Sequence, residues 1–136
     1  MAAIRSHGNR DTELRFIALM REHGITGWRR NQRVFGSPDF AFRRERVAVF
    51  VDGCFWHGCP KPKHAPLPKN RGEWWAAKLA RNRERDRLVT RTLRKMGWRV
   101  VRVWECGLVT KNWPRIARRV TKAFGGGELR PRVNTE

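Results

Sequence analysis

Five consecutive apolar residues, Val47-Ala-Val-Phe-Val51, run directly into Asp52-Gly53. An uninterrupted run of this kind predicts a strand covered on both faces. It delivers a carboxylate to a glycine turn at the end of a sheet. Cys54, Phe55, Trp56, His57 and Cys59 follow at once. An acid, two thiols, an imidazole and two aromatics are poor material for a plain core. They suit a rigid sheet edge on which reactive groups are held.

The rest of the chain supplies partners to that edge. Asn9 to Glu13 reads as a helix start with Asn9 or Asp11 as cap. Leu14, Ile17, Ala18 and Arg21 follow at helical spacing, and Gly24 ends the run. Trp28-Arg-Arg30 reads as a basic connector. Phe35 to Asp39 is a turn into a short strand carrying Phe40 and Phe42, and Arg43 to Arg46 turns the chain back into the apolar run. Hairpin geometry then brings Asp39 and Asp52 to the same end of the sheet. Pro60, Pro62, Pro66 and Pro68 exclude a helix or a central strand there. Asn70 with Glu73 resembles a capping box for a long helix that ends near Met96, with Gly97 as its stop. Trp75, Leu79, Asn82 and Asp86 share one face of that helix. Trp98 to Trp104 predicts a third strand, with Cys106 just beyond it. Asn112 caps a last helix bearing Ile116, Val120 and Phe124. Residues 1–124 form one expected domain, and 125–136 a disordered tail.

Charge narrows the partner. The 136-residue chain carries 31 Lys and Arg against 12 acids, a net charge of +19. Such a field favours a polyanion, and nucleic acid is the obvious one. No apolar run is long enough to span a membrane, and the N-terminus has no signal-like segment, so a cytoplasmic protein is expected. Three cysteines fit a disulfide framework poorly and a metal site well.

Two metal sites follow from the residue types. Cys54, Cys59, His64 and Cys106 offer three thiolates and an imidazole, a closed set for structural zinc. The alternative is three buried cysteines and a surface histidine. Asp39 and Asp52, with the backbone carbonyl of Val51, offer hard oxygen ligands for Mg²⁺, which keeps positions open for water and phosphate. Such a site activates water and stabilises the leaving oxygen in phosphodiester hydrolysis. His57 is placed to take a proton. Asp86, on the inner face of the long helix, is the candidate to orient it, unless it is spent in a surface ion pair. Phe55, Trp56 and Trp75 are either core residues or wedges that insert between bases.

Val49-Phe-Val-Asp-Gly-Cys-Phe-Trp-His-Gly-Cys-Pro60, Gly36-Ser-Pro-Asp-Phe40, Ala80 to Asp86 and Gly97 to Glu105 together resemble the very short patch repair (Vsr) endonucleases. The resemblance covers roughly residues 1–110. It implies a restriction-endonuclease-like α/β fold of the PD-(D/E)xK superfamily, a mixed central sheet flanked by helices, with a structural zinc. It implies nicking of double-stranded DNA 5′ to the T of a T:G mismatch produced by deamination of 5-methylcytosine. The implied enzyme is a bacterial monomer, with mismatch-repair proteins and a cytosine-5 methyltransferase system as functional partners. Within the resemblance Asp39 is the central Mg²⁺ ligand, Val51 gives a carbonyl, His57 is catalytic and Asp86 is its acidic partner. Glu13 matches an acid near the metal waters. Phe55, Trp56 and Trp75 match intercalating aromatics, and Met1 a minor-groove methionine. The sequence departs from the family where Asp52 replaces the usual His. Cys54 stands where the wider superfamily has Lys, which leaves the proton work to His57. The alternatives are a related nuclease of restriction or phage defence, and a zinc-stapled DNA-binding module without catalysis.

Overall fold

The apolar run forms the strand it predicts. A computed structural model describes residues 10–53 and 70–125. In order it contains helix α1 (Arg10–Glu22), strands β1 (Arg29–Arg30), β2 (Phe40–Phe42) and β3 (Val47–Asp52), helix α2 (Gly72–Lys95), strand β4 (Arg99–Trp104), 3₁₀ turns at Glu105–Gly107 and Thr110–Asn112, and helix α3 (Trp113–Lys122). All six residues of β3 are buried. Val47, Val49 and Val51 face a core with Phe16, Leu19 and Met20 of α1 and Ile116 and Val120 of α3. Ala48 and Phe50 face the other way, against Val89 and Leu93 of α2. A central strand covered on both sides cannot alternate polar with apolar residues, which is why the run is continuous.

The strand order is β1-β2-β3-β4. β1 pairs antiparallel with β2, β2 antiparallel with β3, and β3 parallel with β4. The parallel pair requires a crossover, and α2 lies within it. The result is a mixed α/β layer structure, four strands between α1 and α3 on one face and α2 on the other. Among the described residues no helix is long and apolar enough to cross a membrane.

Several expectations are corrected here. α1 buries Thr12, Glu13, Phe16, Ile17, Leu19 and Met20, while Leu14 is 46% exposed and Ala18 and Arg21 face outward. The i, i+3, i+4 spacing fits two overlapping stripes of this helix, and the one holding the larger apolar side chains is buried. The supposed connector Trp28 to Arg30 instead contributes β1, an edge strand fixed by pairing with β2. The capping box is not formed: Arg71 is the N-cap, with left-handed φ 60°, and no side chain caps the helix. Asn112 does occupy the N-cap of α3, but without a capping side-chain bond. Its backbone is already in the helical region, unlike the extended cap residue whose side chain reaches the first amides. Its Nδ2 donates instead to the Gly107 carbonyl at 3.2 Å. Phe124 lies just past the end of α3 and packs on Phe42, ring centroids 4.9 Å apart. The tail beyond residue 125 lies outside the described residues.

Candidate active site

The topology sends one end of every strand to the same edge. β3 and β4 run parallel, so Asp52 pairs with Trp104 and both strands finish together. β2 runs the other way and starts there, immediately after Asp39. β1 ends there, with Arg30 opposite Phe40. The first turn of α1 brings Glu13 to the same place. The hairpin argument from sequence is thus correct, and three buried carboxylates gather at the edge: Glu13 at 7%, Asp39 at 9% and Asp52 at 5% exposure.

Asp39 is the centre of the group. Its Oδ2 accepts a hydrogen bond from the Val51 N–H at 2.7 Å. Burial pushes its carboxyl up to about 7, and the charges of Glu13 and Asp52 and a hydrogen bond with Glu13 act in the same direction. The Val51 amide pulls the other way and is outweighed. Desolvation and like charges both disfavour the anion. A cation beside Asp39 would reverse this balance, so the donor set fits a hard divalent ion. Among the described residues no three His, Cys, Asp or Glu side chains converge as a complete cage. Mg²⁺ needs only one or two carboxylates and keeps several waters, so Asp39 could serve as a ligand. Glu13 is held by Arg30, whose Nη2 donates to Oε1.

A cleft of about 230 Å³ opens beside Asp39 on the α2 side, lined among others by Asp52, Asn82, Asp86 and Arg102. Of the helix face read from the sequence, Asn82 and Asp86 line the cleft, while Trp75 and Leu79 are not among its lining residues. Asp86 is half-buried and comes within 4.0 Å of Arg102 Nη1. Trp75 packs edge-on against Trp74, centroids 4.9 Å apart, and Trp74 is 44% exposed under the Arg71 guanidinium. Cys106 is half-buried in the 3₁₀ turn after β4. Met1, Cys54, Phe55, Trp56, His57, Cys59 and His64 lie outside the described residues.

Three residues here have no role in the sequence reading. Arg102 donates to both oxygens of Asp52, at 3.0 and 3.2 Å. Arg30 grips Glu13. Glu105 follows β4 and accepts from Thr12 Oγ1 at 3.4 Å. Its Oε1 lies 3.6 Å from where a Cβ on Gly53 would stand. The alternation of Arg102 with buried Val101 and Val103 signals only that it points to the opposite face. What it meets there depends on α2.

A mixed sheet flanked by helices, with carboxylates gathered at one end of a strongly basic chain, is consistent with a nuclease fold. The sequence profile of DNA mismatch endonuclease Vsr matches residues 1–61. The type II nicking enzyme V.NmeDIP of Neisseria meningitidis serogroup C is 38% identical over 123 residues, covering 90% of this chain and 82% of that enzyme. DNA mismatch endonuclease Vsr of Escherichia coli K12 is 37% identical over 110 residues, 77% of this chain and 68% of that protein. The type II nicking enzyme V.NaeI of Lentzea aerocolonigenes is 53% identical over 68 residues, and the match spans half of this chain and only 40% of V.NaeI. The chain belongs to the Vsr family of DNA mismatch endonucleases. Its relatives bear the names of DNA endonucleases, so the family is one of DNA-cleaving enzymes.

Proposed function

We propose that this chain is a Mg²⁺-dependent endonuclease that nicks double-stranded DNA 5′ to the T of a T:G mismatch, the reaction of very short patch repair. The observation that carries the reading is Asp39, a buried carboxyl at the sheet edge whose charged form needs a cation. Asp39 is assigned as the ligand, with an oxygen from Val51. Bound Mg²⁺ supplies a Lewis acid for the phosphate and lowers the pKa of a water. Glu13, fixed by Arg30, orients water beside Asp39. His57 is assigned the proton transfer, and Asp86 the orientation of its ring. Phe55, Trp56 and Trp75 are assigned to mismatch recognition, and Met1 to the minor groove. Unstacking is least costly where pairing is already faulty, so a wedge favours T:G over a matched pair. We also assign a structural zinc to Cys54, Cys59, His64 and Cys106. Cys106 stands two residues after Trp104, and Cys54 two residues after Asp52, its partner in the β3–β4 register.

The second reading, a related nicking nuclease working beside a restriction system on other DNA, is favoured by the names of V.NaeI and V.NmeDIP. Single-turnover nicking of T:G and matched duplexes, with Mg²⁺ and with EDTA, separates the two. We expect cleavage of the T:G duplex alone, lost in EDTA and in Asp39→Asn. We expect Trp56→Ala to lose T:G cleavage more than salt-sensitive binding to matched duplex. Equal cleavage of both duplexes by the wild type would defeat the mismatch assignment.

A further inference from the structure

Arg102 sits in the cleft on the α2 side, and every part of its head group is engaged. Nη1 donates to both Asp52 oxygens, at 3.0 and 3.2 Å, and lies 4.0 Å from Asp86 Oδ1. Nη2 donates to the Asp86 carbonyl at 3.3 Å, and Nε to Thr90 Oγ1 at 3.0 Å. The guanidinium carbon lies 4.1 Å from the centroid of the Phe50 ring. The Arg102 side chain is 23% exposed and that of Asp52 only 8%.

A planar fork held by two acids, a carbonyl, a hydroxyl and a ring face is over-determined in position, as a loosely paired surface arginine is not. A carboxylate as deeply buried as Asp52 needs a permanent positive partner. Among the described residues no side-chain cation pairs with Asp39: its Oδ2 accepts from the Val51 amide at 2.7 Å, and its carboxyl shares a hydrogen bond with Glu13, another acid. The two carboxylates of the hairpin are therefore not equivalent. Asp52 is neutralised by Arg102; among the described residues Asp39 meets no cationic side chain and can take an added cation.

We propose that Arg102 is the built-in counter-ion of Asp52 and Asp86, closing Asp52 to divalent metal and leaving Asp39 as the carboxylate that binds it. Arg102 is thus a positioning residue: it fixes Asp52 and tethers the Asp86 segment of α2 to β4. The inference rests on the metal assignment made under Proposed function, and its test separates the two.

The test is Mn²⁺ binding to the full chain, as purified, followed by the electron paramagnetic resonance of free Mn²⁺. Asp39→Asn should weaken binding by about tenfold or more, the scale on which metal sites respond to lost support. Asp52→Asn should stay within about threefold of wild type, well inside that scale. A loss in Asp52→Asn matching that in Asp39→Asn overturns the closure of Asp52. Unchanged binding in Asp39→Asn overturns the metal assignment instead. A thermal-melting cycle then judges Arg102 independently of metal. Arg102→Met should lower Tm, because it leaves buried Asp52 unpaired, and Arg102→Met with Asp52→Asn should melt above Arg102→Met alone. Arg102→Lys, which keeps the charge without the fork, should fall between Arg102→Met and wild type. A double variant melting at or below the single one would show that Arg102 only fills space, and would overturn the counter-ion role.

Discussion

At Asp39 the burial of a carboxyl costs stability, and pH makes that cost measurable. The folded carboxyl holds its proton up to about 7, against an ordinary value of 3.8. Its folded pKa is raised, so the folded chain binds more protons than the unfolded one between those values. The contribution is fully present below 3.8 and is lost as pH rises through about 7. At ~1.4 kcal/mol per pH unit, the metal-free protein should lose on the order of 4 kcal/mol relative to Asp39→Asn across that window. Urea melts of both proteins in EDTA at pH 4.5, 6 and 7.5 measure the difference. Asparagine resembles the protonated acid, so the two curves should converge at low pH and part as pH rises. Parallel curves would show that Asp39 is not proton-loaded. If Asp39 binds divalent metal as proposed, the same linkage makes that binding weaker below pH 7, with release of a proton.

At the scale of the element, the approach of α2 to the sheet edge depends on one glycine. Gly36 has φ 82°, and a Cβ there would lie 2.4 Å from Cγ1 of Val89. Ser37 follows, also left-handed at φ 55°, and its N–H returns to the Val34 carbonyl at 3.0 Å. This tight reversal sets Pro38-Asp39 at the start of β2 while α2 packs directly over the turn. Val89 is a branched side chain in a helix and has little rotamer freedom to move aside. Gly36→Ala combines a left-handed backbone cost of ~1–2 kcal/mol with an overpacking cost of ~1–3 kcal/mol. We expect a loss of roughly 2–5 kcal/mol in a denaturant melt, the sum of those two terms. Because the displaced element carries Asp86, nicking at saturating DNA should fall as well. A variant as stable as wild type would mean that α2 stands off the turn.

At the scale of the molecule, basic charge surrounds an acidic edge. Arg81, Arg83, Arg87 and Arg91 are exposed along α2, and Arg115, Arg118 and Arg119 along α3 on the opposite face of the sheet. Phosphate attraction of this kind acts on any duplex and carries no sequence information. Under the proposed mismatch reading, selectivity falls to the deformable mismatch and the groups that meet it. Zinc belongs to this scale because its proposed ligands join the segment after β3 to the end of β4. Metal analysis of protein purified without added zinc should find about one Zn per chain, as a closed four-ligand site requires. Cys106→Ser should lower that content and the Tm together. A stable zinc-free wild type with full nicking activity would remove the zinc assignment.

The sequence by itself determined those parts that depend on neighbours along the chain. The continuous apolar run specified β3 because a strand covered on both faces admits no polar alternation. The short turn at 43–46 fixed the hairpin, and with it the meeting of Asp39 and Asp52. Periodicity specified the α2 face that carries Asn82 and Asp86, and both wall the cleft. The tertiary structure alone decided how distant segments meet. Arg102 and Asp52 are 50 residues apart, and their pairing follows from the parallel register of β3 with β4. The grip of Arg30 on Glu13 needed an edge strand of two residues, too short to carry a pattern. The buried stripe of α1 was chosen by what α3 and the sheet presented to it. Local spacing says which side chains share a face. It cannot say which charge lies across from them, because that is set by register and packing between segments that the sequence keeps far apart.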